Sequence, residues 1–275
     1  MVSPRSRPSR PVGCPLLARI NRKTLTAALA ATAALWLSGC RAGPAAGAGS
    51  DTQAIRGAMD GAMSGTKAPV TMPAASGWQS LFDGTQVTGW HNFKTPGQPV
   101  VGWEGVDGLL TRTGQGGDLT SDKLYGNFEL ELEWMVGPGG NSGIIYRIDP
   151  AAEVSYVSGP EMQILDNAVH RDGKNPLTSA GANYALHAPT AGVVKPANSW
   201  NAVRLLVNGN HVEHWLNGVK VVEYELGSAD WETRRAASKF TTWERYGRAP
   251  RGYIALQDHG DRVFFRDIRI RELPE

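Results

Sequence analysis

Trp200–Leu226, WNAVRLLVNGNHVEHWLNGVKVVEYEL, holds three runs of mostly β-branched, aromatic and aliphatic residues separated by Asn208-Gly209 and Asn217-Gly218. Such side chains pack well on a pleated surface, and Asn-Gly pairs tolerate the positive φ of tight hairpin turns. The stretch predicts a three-stranded antiparallel meander. Working outward, NFELELEWMV (Asn127–Val136) places Phe128, Leu130, Leu132, Trp134 and Val136 on one face and three glutamates on the other, the period-two pattern of a half-buried strand with a solvated outer face. Asp107-Gly108 predicts another hairpin between GWEGV and LLTRT. One helical window stands out, Ala229–Phe240, with Asp230 placed to cap its start. Runs containing Trp103, Leu109, Phe128, Ile144, Glu161, Asn183, Asn201, His211, Val219, Tyr253 and Val263 number about eleven, with none of the strand-helix alternation that parallel sheets require. The expected fold is all-β: two packed antiparallel sheets, a jelly roll or related sandwich.

The N-terminal segment has a different character. Arg5, Arg7, Arg10, Arg19, Arg22 and Lys23 precede the apolar run TLTAALAATAALWLSGC without an acidic residue among them, which is the profile of an export signal and short for a membrane span. Its end, Leu37-Ser38-Gly39-Cys40, resembles a bacterial lipobox, in which the cysteine becomes the lipidated first residue. The expected organisation is a lipoprotein signal peptide over 1–39, a flexible Ala/Gly-rich tether over 40–76 with a brief helix around 51–63, and one large β domain over 77–275. Cleavage before Cys40 takes six positive charges with it and moves the formal balance from +2 to −4, so no basic surface remains to argue for nucleic acid. Cys14 and Cys40 are the chain's two cysteines, which leaves the β domain without disulfides or thiolate chemistry. The expected location is outside the cytoplasm, anchored to a membrane by lipid alone.

Chemistry-bearing side chains concentrate in a few strands. GPEMQILD (Gly159–Asp166) alternates Glu161 and Gln163 with Met162 and Ile164, so one strand face carries a carboxylate and an amide. NSGIIYR (Asn141–Arg147) ends in Arg147 after Asn141 and Ser142; GYIALQDHGD puts Gln257 and His259 on one side and Asp258 on the other; VFFRDIRI sets Arg266 in phase with Phe264, Ile268 and Ile270, the face expected to turn inward. An inward arginine needs a counter-charge, and Glu161 is the natural partner for Arg147 or Arg266.

These stretches carry a family resemblance. LFDGTQVTGW (Leu81–Trp90), NSGIIYR, GPEMQILD, the WN at Trp200-Asn201 with the later WLNG, and GYIALQDHGDRVFFRDIRIREL (Gly252–Leu273) are similar, in order and over nearly the whole β domain, to the 3-keto-disaccharide hydrolase domain family. The resemblance implies a concanavalin A-like jelly roll, often exported, acting on glycosides already oxidised at C3 of a glucose unit. A separate sugar 3-oxidoreductase would supply that substrate.

The residues suit that chemistry better than ordinary glycoside hydrolysis. A conventional glycosidase uses two carboxylates flanking the bond, whereas Glu161, Gln163 and Asp166 offer an amide in the middle position, and Asp166 lies an odd number of residues from Glu161. A ketone at C3 acidifies the hydrogen on C2 and lets the C1 substituent leave by elimination, after which water adds. One base, one acid and donors to the enolate oxygen suffice. Glu161 and His259 are the expected base and acid, in either order, with Arg147, Gln163 and Gln257 as donors, Asn141, Arg266, Tyr184 and His187 lining the site, and Asp166 orienting His259 or binding a metal. A divalent metal is left open by Asp166, Asp258, His259 and Asp261, which lack any recognised ligand spacing. His170, His211 and His214 read as loop or hairpin residues, and Trp90, Trp103, Trp134, Trp200 and Trp215 mainly as core. The alternative is a non-catalytic carbohydrate-binding module on the cell surface, because the same fold serves lectins.

Overall fold

A computed structural model describes residues 77–275. The signal, the tether, its brief helix and the Cys40 lipidation site lie outside the described residues. Within them the chain forms thirteen strands. Eight build one antiparallel sheet: β1 (Gln79–Ser80), β3 (Trp103–Val106), β4 (Leu109–Arg112), β6 (Phe128–Val136), β9 (Asn201–Asn208), β10 (His211–Leu216), β11 (Val219–Glu225) and β13 (Val263–Glu272). Its order is β11-β10-β9-β6-β13-β4-β3, with β1 also pairing β13. The other five form a second sheet in the order β2-β5-β12-β7-β8: β2 (Trp90–Asn92), β5 (Leu119–Ser121), β12 (Tyr253–Leu256), β7 (Asn141–Ile148) and β8 (Glu161–Leu165). Two packed antiparallel sheets joined in this way are a jelly roll.

The predicted meander is β9-β10-β11. Its second turn and the β3–β4 turn have both central residues at positive φ, Asn217 (50°) with Gly218 (83°) and Asp107 (52°) with Gly108 (81°), which is the hairpin geometry that matches strand twist. The first turn is shifted by one residue from the expected pair: His211 faces Asn208, so Gly209 and Asn210 form the bend, and Gly209 alone carries positive φ. Between the sheets, Phe128, Leu130, Leu132, Trp134 and Val136 of β6 meet Leu119, Ile144, Tyr146, Met162, Ile164, Ile254 and Leu256 of the smaller sheet in one buried cluster. Burial of each such side chain contributes roughly 1.5–3 kcal/mol.

Several expectations are corrected. β1, β2 and β5 were not foreseen, since two or three residues are too few to display a period. Asn183 makes isolated bridges to Met162 and His187 in place of a strand. The helix stops early: α1 covers Ala229–Ala236 and is capped by Ser228, whose Oγ accepts from the Trp231 N–H at 3.2 Å, and Lys239–Thr242 follows as a separate 3-10 turn. Asp230 lies inside the first turn and accepts from Arg234 Nε at 2.7 Å.

The glutamate face of β6 is an ion-pair ladder, not a merely solvated surface. Glu129 takes Arg204 and Arg271, Glu131 takes Arg269 (2.5 Å) and Glu133 takes Arg266 (2.6 Å). The arginines in turn lie over indole rings: Arg266 is 4.0 Å from the Trp200 centroid, Arg204 5.0 Å from Trp215 and Arg269 4.9 Å from Trp78. Arg266 is therefore on the outer face of the large sheet. The reason is a break in phase: pairing with β6 shifts between Arg266 and Arg269, where Asp267 adopts a φ of 52°. Val263 and Phe265 point inward before this bulge, Ile268 and Ile270 after it, and Phe264 joins Arg266 outside.

Candidate active site

The smaller sheet brings most of the predicted polar residues to its outer face. Met162, Ile144, Leu256 and Leu119 align across β8, β7, β12 and β5 and point into the core. Strand alternation sends the next row, Gln163, Gly143, Gln257 and Asp118, to the opposite side; Gln163 pairs with Gly143 and the Gln257 N–H donates to the Gly143 carbonyl at 2.9 Å. Glu161, one row back on the same face, bends its side chain over Gly143. A Cβ at position 143 would stand 2.3 Å from Glu161 Oε1. The missing side chain at Gly143 is what lets the carboxyl lie between the two glutamines.

Glu161 is 8 % exposed, and neither carboxyl oxygen has a hydrogen-bond partner among the described residues. Burial pushes its pKa up to about 8; the negative fields of Asp118 and Asp172 act in the same direction, and the Lys239 ammonium opposes them. Glu161 is thus mainly a neutral acid at pH 7. Asp118 is likewise raised, by burial first; Ser155 Oγ and the Asp258 N–H (2.8 Å) both donate to it, and His259 is near enough to pull its pKa back down. His259 itself is exposed at the rim, edge-on to His170 with ring centroids 6.3 Å apart.

Loops wall the site. The Tyr184 N–H donates to the Glu161 carbonyl at 3.0 Å and its hydroxyl reaches Asp172 at 3.4 Å. Lys239 Nζ sits 4.3 Å from the Tyr184 ring centroid and 6.0 Å from Trp243, which packs on the exposed Tyr156 at 5.9 Å. The segment carrying Lys239 is held by an aromatic stack, Phe240 on Tyr246 (4.0 Å), Tyr246 on Trp231 (5.9 Å) and Trp231 on Tyr224 (5.2 Å). Four buried amide oxygens, of Asn141, Gln163, Asn183 and Gln257, lack partners among the described residues, while Gln163 Nε2 donates to the Thr178 carbonyl at 3.3 Å.

The structure thus gathers Glu161, Gln163, Gln257, Tyr184 and His259 on one side of one sheet, and places four other expected residues elsewhere. Arg147 has a φ of 52°, which diverts its buried side chain to the Gly209 carbonyl at the β9–β10 turn of the other sheet. Arg266 is fixed on the ladder, so neither arginine pairs with Glu161. Asp166 accepts from the N–H groups of Gly139 (2.7 Å) and Ala168 (3.1 Å), closing a turn, and makes no bond to His259. His187 stacks on Tyr224 at 4.8 Å and accepts from Asn183 Nδ2 at 2.9 Å; burial lowers its pKa, so it is a neutral packing residue.

The acidic groups expected near His259 are also spent within the fold: Asp258 on Arg112 and the Gly116 and Gly117 amides, Asp261 on the Asn141 N–H. Among the described residues His211, Glu213 and Glu223 have ligand-like spacing, but Lys220 Nζ lies between the carboxylates at 3.3 and 2.6 Å and supplies the positive charge. Asp118, Ser155, Asp172 and Lys239 went unread. Asp118 immediately precedes the three-residue strand β5 after a glycine-rich loop, and Lys239 falls inside the window read as helix; neither carries a local pattern.

Residues 77–271 match the family described as 3-keto-alpha-glucoside-1,2-lyase-like domain. A 3-keto-disaccharide hydrolase from Bacteroides thetaiotaomicron is 33% identical over 230 residues, covering 72% of this chain and 79% of that one. Among solved structures, a candidate glycosyl hydrolase from Parabacteroides distasonis is 34% identical with a TM-score of 0.67, covering 73% of this chain and 95% of its own. A second from the same organism is 26% identical with a TM-score of 0.59, covering 71% and 99%. The chain belongs to the 3-keto-alpha-glucoside-1,2-lyase-like family, and is a glycoside-cleaving enzyme.

Proposed function

We propose that this enzyme cleaves glycosides bearing a ketone at C3 of a glucose unit, by removing the C2 proton and expelling the C1 substituent. The observation that carries this reading is the Glu161 carboxyl: buried, free of hydrogen bonds among the described residues and pushed up to a pKa of about 8. A group in that state is a proton donor at neutral pH. Glu161 gives its proton to the departing C1 oxygen while His259, at the rim, takes the proton from C2. The C1–O bond breaks as the C1–C2 double bond forms, giving an unsaturated 3-keto sugar and an alcohol. Addition of water at C1 then completes net hydrolysis. The orphaned oxygens of Asn141, Gln163 and Gln257 accept from sugar hydroxyls, which lose water's hydrogen bonds on entry. Substrate arrives from a sugar 3-oxidoreductase.

Incubation with a 3-keto-disaccharide and with its unoxidised parent tests the reading. Cleavage of the ketone alone is expected; equal cleavage of both, or of neither, contradicts it. We also propose that the chain is exported and lipid-anchored at Cys40, separating the β domain from the membrane by the 40–76 tether. In that case Cys40→Ser moves the protein from the membrane fraction to the soluble one, and an unchanged distribution rules the anchor out.

A further inference from the structure

Enolate formation at C2 is favoured by a positive group at the C3 oxygen, and both arginines expected to provide it lie elsewhere. Lys239 is the cation whose field reaches Glu161. Lys94 and Lys195 donate to the carbonyls of Pro150 and Trp200, and Lys123 and Lys220 to carboxylates. Lys239 Nζ has no hydrogen bond or ion pair among the described residues and faces three aromatic rings, with centroids at 4.3 Å (Tyr184), 5.3 Å (Phe240) and 6.0 Å (Trp243). The rings are attracted to the ammonium but accept none of its three N–H bonds conventionally. Its position is set by a short turn that Ser238 caps, accepting from the Phe240 N–H at 3.1 Å, and by the Phe240–Tyr246 stack beneath.

Resting on the function proposed above, we infer that Lys239 is a catalytic residue, whose ammonium donates to the C3 ketone oxygen of the substrate and holds the enolate that forms when the C2 proton leaves. The geometry separates the two tasks. Glu161 and Lys239 do not form an ion pair with each other, so an acid for the C1 oxygen and a cation for the C3 oxygen stand apart, as the two ends of a C1–C2–C3 unit require. A protonated Glu161 also leaves the ammonium free of that carboxylate, Asp172 being the other whose field reaches it. Charge is created on the C3 oxygen only as the C2–H bond breaks, so the interaction strengthens in the transition state and accelerates the chemical step.

The test isolates that step. 1,5-Anhydro-3-keto-glucitol has no exocyclic group to lose at C1, so exchange of its C2 hydrogen in deuterium oxide with the ring intact reports enolisation alone. Exchange catalysed by the full-length wild-type protein is expected to fall about 10²–10³-fold in Lys239→Met, the range for loss of one oxyanion donor. Lys239→Arg, which keeps the charge, should recover at least about tenfold of it. Because the side chain is solvent-accessible, both variants should fold, which circular dichroism verifies. Wild-type-like exchange by Lys239→Met overturns the role of Lys239 while leaving C2 abstraction intact. Absence of exchange by the wild-type protein overturns C2 abstraction and the lysine's role together.

Discussion

Glu161 shows how one side chain can be legible in kind and not in state. Alternation in EMQIL places it opposite the core, but its depth under Tyr184 and its distance from any arginine come from loops remote in sequence. The state has measurable consequences. In its proposed role of proton donor it must be protonated, so kcat should decline as pH rises through about 8, the folded-state value. A flat profile between pH 7 and 9 under chemistry-limited conditions would contradict that. The same raised pKa costs stability. An unfolded Glu161 ionises near its ordinary value of 4.5 while the folded one holds its proton to about 8, so the cost grows over this interval as pH rises. Glu161→Gln has no charge to bury and should raise Tm at pH 8 relative to wild type, by roughly 2–8 °C for about 1–2 kcal/mol, with a smaller gain at pH 5. A lower Tm at pH 8 would argue against a buried acid.

At the scale of elements, the site depends on one flat position and the fold on one bulge. Gly143→Ala introduces a Cβ 2.3 Å from Glu161 Oε1, 2.9 Å from its Cδ and 2.9 Å from its Cγ. The backbone there has no positive φ to accommodate, so the strand should persist while the carboxyl is displaced. Activity falling more than about tenfold with little change in Tm is expected; unaltered kcat/KM would show that the carboxyl need not lie over β7. Asp267, at a φ of 52°, sits in the left-handed region that costs a non-glycine residue about 1 kcal/mol. Asp267→Gly should therefore be neutral or stabilising by a few tenths of a kcal/mol to about 1 kcal/mol in urea unfolding, unlike a glycine placed mid-strand. This bulge also explains why VFFRDIRI misled: strict alternation carries Arg266 inward, and nothing in the residue types announces the extra residue. Arg147 is the same case, turned aside by its own positive φ. The β3–β4 and β10–β11 turns, by contrast, were readable because Asp-Gly and Asn-Gly match their geometry directly.

Across the whole molecule, the two sheets divide the work. The small sheet carries the candidate site on its outer face, and the large sheet covers its own with the Glu129, Glu131 and Glu133 ladder under Trp78, Trp200 and Trp215. Glu129 is held below the ordinary carboxylate range: burial acts to raise its pKa, but the guanidiniums of Arg204 and Arg271 outweigh it. A depressed folded-state pKa gives stability that is present above the unfolded value and is lost as pH falls through the folded one. Tm should therefore drop below about pH 4.5, and less steeply in Glu129→Gln, whose starting Tm is lower; parallel acid limbs in the two proteins would remove Glu129 as a cause. The architecture was legible because hydrophobic period and turn chemistry are local. The site was half legible: strand phase located Glu161, Gln163 and Gln257, whereas Asp172 and Lys239 reach it through loop closure, which leaves no periodic trace, and Asp118 adjoins a strand too short to show one. His187 was misplaced for a related reason, its aromatic neighbours coming from β11 and α1.

Steady-state turnover of a 3-keto-disaccharide by Glu161→Gln bears most directly on the central assignment. The amide keeps the shape and removes the proton donor, so kcat should fall about 10²–10⁴-fold with KM changed little. Turnover within a factor of about two of wild type would show that this carboxyl is not the acid and that cleavage takes place elsewhere on the molecule.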